Sequence, residues 1–445
     1  MKRVNNKLGN LKNIIFKFLR ENIVTVVFLI LCILGIIFSG QPMFFITKEL
    51  ITRITRNSFL VLSLIIPVLS GMGMNFGIVI GAMAGQMAMI VVTHWVIKGA
   101  PVTGVVGLLL CIVLSTPLAI IFGYFSGKLL NKTKGQEMIS SMILGFFANG
   151  LYQLLFLFLI GTVIPMNNPT LVLANGIGIK NTIDLSEGLK YSLDGMLEMP
   201  LFITVAILCL IFIAIHVIKI LYIKMHNLKY DAKKSYIIIG IMALFIILSL
   251  VAIDPFSLFA GSSNGFVKQL RMFNMIKIPI MTVVVIALLC IFNITIVKTK
   301  LGQDFRTVGQ NMHVAKVSGI KVDRVRIVAI VISTILAAWG QIIFLQNIGT
   351  LNTYGSHEQI AMFSVAALLI GGATASRATV GQALLGTILF HTLFIVSPQA
   401  GKNLFGDAQI GEHFRVFVAY GVIVLSLGLH AWKSLKYKKA KESIE

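Results

Sequence analysis

The chain has 445 residues, of which 57% are hydrophobic and only 12% charged, with a mean hydropathy of +0.92. A soluble domain carries roughly twice that charged fraction, so a soluble globular fold is excluded. The formal charge of +22 does not indicate nucleic-acid binding, because the basic residues sit in short runs between apolar blocks rather than in one patch.

The N-terminal stretch carries Lys2, Arg3, Lys7, Lys12, Lys17 and Arg20 ahead of an apolar run from Ile23 to Phe38. The run is long and no small-x-small cleavage site follows it, so it reads as a retained first helix with a cytoplasmic N-terminus over 1–21. Apolar segments follow at 58–72, 76–97, 104–127, 138–160, 201–223, 236–253, 279–297, 327–347, 359–373, 380–397 and 414–432. With the first run, 22–40, they make twelve, each continuously apolar, which argues for helices and against an outer-membrane barrel. The expectation is an all-α integral membrane bundle of about 10–12 transmembrane helices in a single domain. Segments 58–72 and 359–373 are short for spans and suit broken or re-entrant elements.

The most basic connections, Lys128–Lys134, Lys219–Lys234, Lys298–Arg326 and the tail at 433–445, all fall on one side and place it in the cytoplasm. Some of these charges also suit anionic lipid head groups. The loop at 161–200 is rich in Pro, Asn and Gly and carries Asp184, Glu187, Asp194 and Glu198, which suits the external face. It reads as a loop folded back on the bundle or as a contact for an external protein.

Chemistry-bearing residues are sparse. Cys32, Cys111, Cys209 and Cys290 are scattered through apolar blocks with no CxxC pair, so neither a metal nor a disulfide framework is implied. His94, His216 and His391 are isolated and read as helix-end or hydrogen-bonded core residues rather than a proton relay. Gly123 to Lys128 has the wrong spacing for a phosphate loop, and no hydrolase or paired-carboxylate motif is present, so the chain reads as a non-enzyme without a bound cofactor. Gly77, Gly81 and Gly85 recur every four residues on one helix face, as do Gly123 and Gly127; helix packing and a pore-lining role both fit. Asn75, Gln86, Asn149, Gln153, Gln341 and Ser364 are uncharged polar groups at membrane depth, suited to a hydroxylated solute or to holding helices together. Gly371, Gly372, Gly381, Gln382 and Gly386 faintly echo the first glycine run, as an internal repeat would.

The cytoplasmic stretch from Gly302 to Val322 carries the most specific pattern: Gly309, Asn311, Ala315, Ser318, Gly319, Ile320 and Val322, framed by Arg306, Lys316 and Arg324. This resembles the cytoplasmic loop of permease subunits of ATP-binding-cassette (ABC) importers, in the branch that handles ribose and branched-chain amino acids. The resemblance extends over Ser39–Val91, Val328–Leu345, Tyr354–Gly372 and Gly381–Leu393, most of the chain. Met312, His313 and Val314 depart from the family pattern, Met74-Asn75-Phe76-Gly77 lacks an aspartate found in sugar permeases, and Ser376-Arg377 replaces an expected glycine pair. Glu137–Ala148 resembles nucleoside-type members, and two extra apolar segments lie between Pro165 and Ile278.

The resemblance implies a membrane-spanning importer subunit for a small polar solute, a simple sugar or nucleoside, in a bacterial cytoplasmic membrane with both termini inside. Branched-chain amino acids and an ion-coupled carrier stay open as alternatives. The implied partners are a cytoplasmic ATPase that binds ATP and magnesium, a second permease subunit, identical or paralogous, and an external solute-binding protein. The loop at 298–326 would hold a coupling helix, contacting the ATPase through Arg306, Gly309, Asn311, Ala315, Lys316, Ser318, Gly319 and Arg324.

Overall fold

The computed structural model describes residues 22–166, 168–226, 233–253 and 265–442. The basic residues before Asn22 therefore lie outside the described residues, as does the end of the tail. The chain is helical, with only three-residue strands among the described residues. Among the described residues, seven helices are long and apolar enough to cross a membrane; an eighth span forms if one pair bent by 73° counts, and three shorter apolar helices accompany them. This is the all-α polytopic bundle that the apolar segments predict.

Contacts divide the chain into two compact units: 1–41 with 53–193 and 282–445, and 42–52 with 194–281. The first unit begins with α1 (Ile23–Ser39) and continues through α2 (Met43–Ser63, from Arg53 onward), α3 (Ile65–Leu69), α4 (Ile78–Ile97), α5 (Gly104–Lys132) and α6 (Glu137–Phe158). The predicted segment 58–72 is thus the end of a much longer helix. Lys48, Glu49, Arg53 and Arg56 lower the hydropathy of its first half and hide it from an apolar scan.

Pro67 explains why α2 and α3 separate. Proline has no N–H for the carbonyl four residues back. That carbonyl, on Ser63, instead accepts from Ser333 Oγ at 2.9 Å. Pro398 repeats the arrangement: Arg415 Nη1 donates at 2.9 Å to the carbonyl of Phe394. After α3, Gly71 and Gly73 adopt φ of +75° and +67°, a left-handed geometry that breaks the chain before α4.

The unit continues with α10 (Ile280–Ile296, from Thr282), α11 (Lys300–Gln310), α12 (Met312–Val317), α13 (Val322–Ile348), α14 (Glu358–Ile370), α15 (Val380–Phe405) and α16 (Ala408–Glu442). α13 is held between two glycine-bearing helices. A Cβ added at Gly81 or Gly85 would run into the carbonyl oxygens of Thr334 and Ala338. From the other side, a Cβ added at Gly123 or Gly127 would come within 2.9 and 3.0 Å of the Cα atoms of Val331 and Ile327. Both glycine repeats therefore let backbones approach one helix, whereas Gly77 precedes α4 and donates its N–H to Asn75 Oδ1 at 2.9 Å. β1 (Thr182–Asp184) pairs antiparallel with β4 (Thr350–Asn352), tying the loop after α6 to the end of α13.

The second unit holds the two extra apolar segments, α7 (Leu201–Met225) and α8 (Lys233–Ile253), followed by α9 (Gly265–Asn274), which the apolar scan does not see. β2 (Glu198–Pro200) and β3 (Lys277–Pro279) close its base as an antiparallel pair, with Lys277 Nζ 3.2 Å from Glu198 Oε2. His216 is one of the three isolated histidines, and its Nδ1 lies 3.3 Å from Ser235 Oγ within this unit.

Candidate functional site

A cavity of about 420 Å³ opens among α2, α13, α14 and α15. Asn57, Asn352, Ser356, Glu358, Gln359, Ser364 and His391 supply its polar wall, and Phe344 and Phe363 its aromatic one. Hydrogen-bonding groups beside ring faces suit a small hydroxylated molecule. Arg56 stands over the Phe344 ring at 5.4 Å, adding positive charge behind that wall. The buried Nδ1 of His391 makes no hydrogen bond among the described residues, so a polar group remains for a guest or water to satisfy.

Next to this cavity lies a polar cluster built from four elements, buried at Gln86, Gln341 and His357 and open to the surface at Glu358. Gln86 on α4 donates through Nε2 to the carbonyls of Asn352 and Thr353, at 3.0 and 2.6 Å. Its Oε1 lies 3.2 Å from Nδ1 of His357, which has no exposed surface. The other ring nitrogen lies 2.7 Å from Oδ1 of Asn149 on α6. Asn149 Nδ2 donates to Glu358 Oε1 at 2.7 Å, and Gln153 Nε2 reaches the same oxygen at 3.4 Å. Gln341 of α13 joins at the edge through the Ser356 carbonyl, at 3.4 Å.

The two amides are fixed by what their nitrogens bind, so each presents an oxygen to the imidazole. Burial pulls the His357 pKa down to about 4 and keeps the ring neutral near pH 7. The single proton then belongs on Nε2, facing the nearer oxygen, and the Nδ1 lone pair faces Gln86 Oε1. Protonation would complete the second hydrogen bond at the expense of a buried charge.

Of the six polar candidates, the structure brings Gln86, Asn149, Gln153 and Gln341 to this cluster and Ser364 to the cavity. Asn75 is elsewhere, bonded to Gly77 N beside the glycine break. His357 is the residue missed by sequence reasoning. It lies between two apolar segments, and its only local signal is the His-Glu pair opening α14.

The loop over 298–326 is built from local caps. α10 and α11 meet at a 73° bend, where Thr299 Oγ1 accepts from Gly302 N at 3.3 Å. Asn311 opens α12, its Oδ1 accepting from the N–H groups of His313 and Val314 at 2.9 and 3.1 Å. Three candidate contact residues therefore serve this chain itself: Asn311 caps, Ala315 is fully buried, and Gly309 packs against the Leu69 carbonyl. Ala315 cannot form the small-residue contact face expected of it, because its side chain points into its own chain. Arg306, Lys316, Ser318, Gly319 and Arg324 are exposed.

Gly319 has φ of +81° and open space around its Cα, and Ile320 N closes on the Ala315 carbonyl at 3.0 Å. Its glycine is required by this left-handed helix stop rather than by close contact. The exposed apolar surface of α12 is instead Val314 and Val317, 51% and 77% exposed. Arg306 and Arg377, which replaces an expected glycine, line a second cavity of about 1110 Å³ that includes Gly309 and Gln382.

Residues 171–427 match the family described as branched-chain amino acid transport system / permease component. The chain belongs to this family, a branch of the ABC importer permeases. The permease is 35% identical over 163 residues to the autoinducer 2 import system permease protein of Klebsiella pneumoniae, covering 35% of this chain and 46% of that one. It is 29% identical over 164 residues to a probable ABC transporter permease protein of Escherichia coli, covering 37% and 47%. Similarity to the xylose transport system permease protein of Haemophilus influenzae is 23% over 172 residues, covering 39% and 44%. The permease thus spans somewhat under half the length of these curated relatives. No solved structure matches it.

Proposed function

We propose that the permease is the membrane subunit of an ABC importer in the cytoplasmic membrane, moving a simple sugar or nucleoside inward. The carrying observation is α12, a capped helix on the basic side of the bundle that presents Val314 and Val317 to its surroundings. An apolar pair on an otherwise polar loop suits a groove on a cytoplasmic ATPase, with Arg306, Lys316 and Arg324 placed for acidic residues on its rim. The ATPase would supply ATP and magnesium, an external binding protein would deliver the solute, and a second permease subunit would complete the path. The polar and aromatic cavity, with a His391 nitrogen that makes no hydrogen bond among the described residues, supports an uncharged hydroxylated solute.

Val314→Asp combined with Val317→Asp tests docking without touching buried structure. The permease should insert at the wild-type level, yet retain the ATPase at least tenfold less well and lose uptake of labelled sugar or nucleoside. Wild-type retention and uptake would sink the docking assignment. Gly319→Trp is the poorer test, because backbone strain alone would disturb the loop.

Both termini are assigned to the cytoplasm. On a cysteine-free background, cysteines at positions 132 and 316 should resist an impermeant thiol reagent in intact cells, while one at 175 should react. Labelling at 316 would invert the layout.

A further inference from the structure

We propose that Arg326 is a positioning residue that carries movement of the cytoplasmic loop along three helices to the polar cluster around His357. The inference rests on the importer reading for its purpose, and on the geometry of one side chain for its substance.

Arg326 has no exposed surface and heads the fully buried side chains among the described residues by volume. A guanidinium out of water needs partners on all sides, and each of these comes from a different element. Nη2 meets Glu137 Oε1 at 2.5 Å, in the first turn of α6. Nε points to Met72 Sδ at 2.8 Å, in the break between α3 and α4. Nη1 lies 3.4 Å from Met312 Sδ, the first residue of α12. One rigid, planar group therefore joins α12, α6, α13 and the glycine break. Apolar side chains of similar volume commonly serve stability as well as a buried ion pair does. A four-way junction is what such replacements would not supply.

Met72 lies between Gly71 and Gly73, both left-handed, where the chain can turn with little steric resistance. Gly71 also abuts Gly309 at the end of α11. Displacement of α12 would therefore reach this break by two routes. From the junction, α4 leads to Gln86, α6 to Asn149 and Gln153, and α13 to Gln341, and these residues surround His357 and Ser356. Helices rise about 1.5 Å per residue, so the twelve residues from Glu137 to Asn149 span about 18 Å. The Arg326 junction and the His357 cluster are thus separate points, more than two turns apart, along the same three rods.

The test uses the permease assembled with its ATPase in vesicles. Arg326→Met combined with Glu137→Met removes the junction without leaving a lone buried charge. This variant should insert, retain the ATPase and hydrolyse ATP near the wild-type rate, while uptake falls at least tenfold. ATP should also no longer alter backbone hydrogen exchange at 349–358. Uptake within twofold of wild type, with that exchange response intact, would overturn the proposal.

If the pair variant fails to insert, Met72→Leu with Met312→Leu keeps the ion pair and the volume. It should lower uptake at least threefold at unchanged hydrolysis, and normal uptake would again overturn the proposal. If the wild-type assembly shows no ATP-dependent uptake, the importer reading fails by itself. Hydrogen exchange of the permease alone then decides. Faster exchange at both 70–77 and 349–358 in the pair variant supports the junction, and a change confined to 70–77 refutes it.

Discussion

Gly85→Leu is expected to prevent the permease from reaching a stable fold, whereas Gly150→Leu should be nearly silent. At Gly85 an added Cβ would collide with the Ala338 carbonyl, a backbone group that cannot swing aside without moving α13. Overpacking a well-packed core with even small groups costs about 1–3 kcal/mol. A leucine must in addition separate α4 from α13, which Gly123 and Gly127 pack from the other side at Val331 and Ile327. The loss should exceed the stability of the bundle, leaving little monodisperse protein after detergent extraction. Gly85→Ala should extract but melt several degrees lower. Gly150 is also helical and has nothing within 4 Å of its added Cβ, so leucine there should stay within about 0.5 kcal/mol of wild type. Equal melting of the two leucine variants would disprove the α4–α13 packing.

The second large effect is acid sensitivity centred on His357. Its pKa falls from 6.5 to about 4 on folding because burial penalises the charged ring. The unfolded chain therefore takes up a proton at a higher pH than the folded one. The associated stability is present above pH 6.5 and is lost as pH falls toward 4. A difference of this size corresponds to on the order of 3 kcal/mol across the window. His357→Gln should remove the dependence, at a loss of about 1–3 kcal/mol near neutral pH from the disturbed hydrogen bonds. Melting temperatures of the two proteins should thus converge, or cross, between pH 6.5 and 4. A constant separation across that range would show that the His357 proton does not distinguish folded from unfolded chains.

Long apolar runs made the spans legible, because an interior without water leaves the backbone little choice but helix. The same criterion overlooked the first half of α2, where four charged residues occur within nine positions, and α9, whose residues are too polar to register. Four-residue glycine spacing revealed close helix approach but not the partner, since a periodicity describes one surface only. Gln86, Asn149 and Gln153 were visible as polar residues at membrane depth. Their meeting place was not, because it depends on His357, one residue in a short loop with nothing periodic about it. Arg326 looked like the last charge of a basic loop, and sequence does not distinguish a solvated arginine from one enclosed by a carboxylate and two thioethers. In the loop itself, the recurring residues are recognisable while their duties are not: Asn311, Ala315 and Gly319 shape the segment, and Val314 and Val317 are the apolar side chains it exposes.

The paired strands β2 and β3 bear on how this chain could have acquired its length. Neighbouring antiparallel strands lie about 5 Å apart, so the polypeptide departs from and returns to nearly the same point at Glu198 and Pro279. Whatever is threaded between those positions must satisfy only that small end-to-end distance. A helical hairpin could be gained, exchanged or lost there by a single genetic event without asking any other span to change register. Such a junction offers evolution, or an engineer placing a reporter, a site where novelty is confined to its own boundaries.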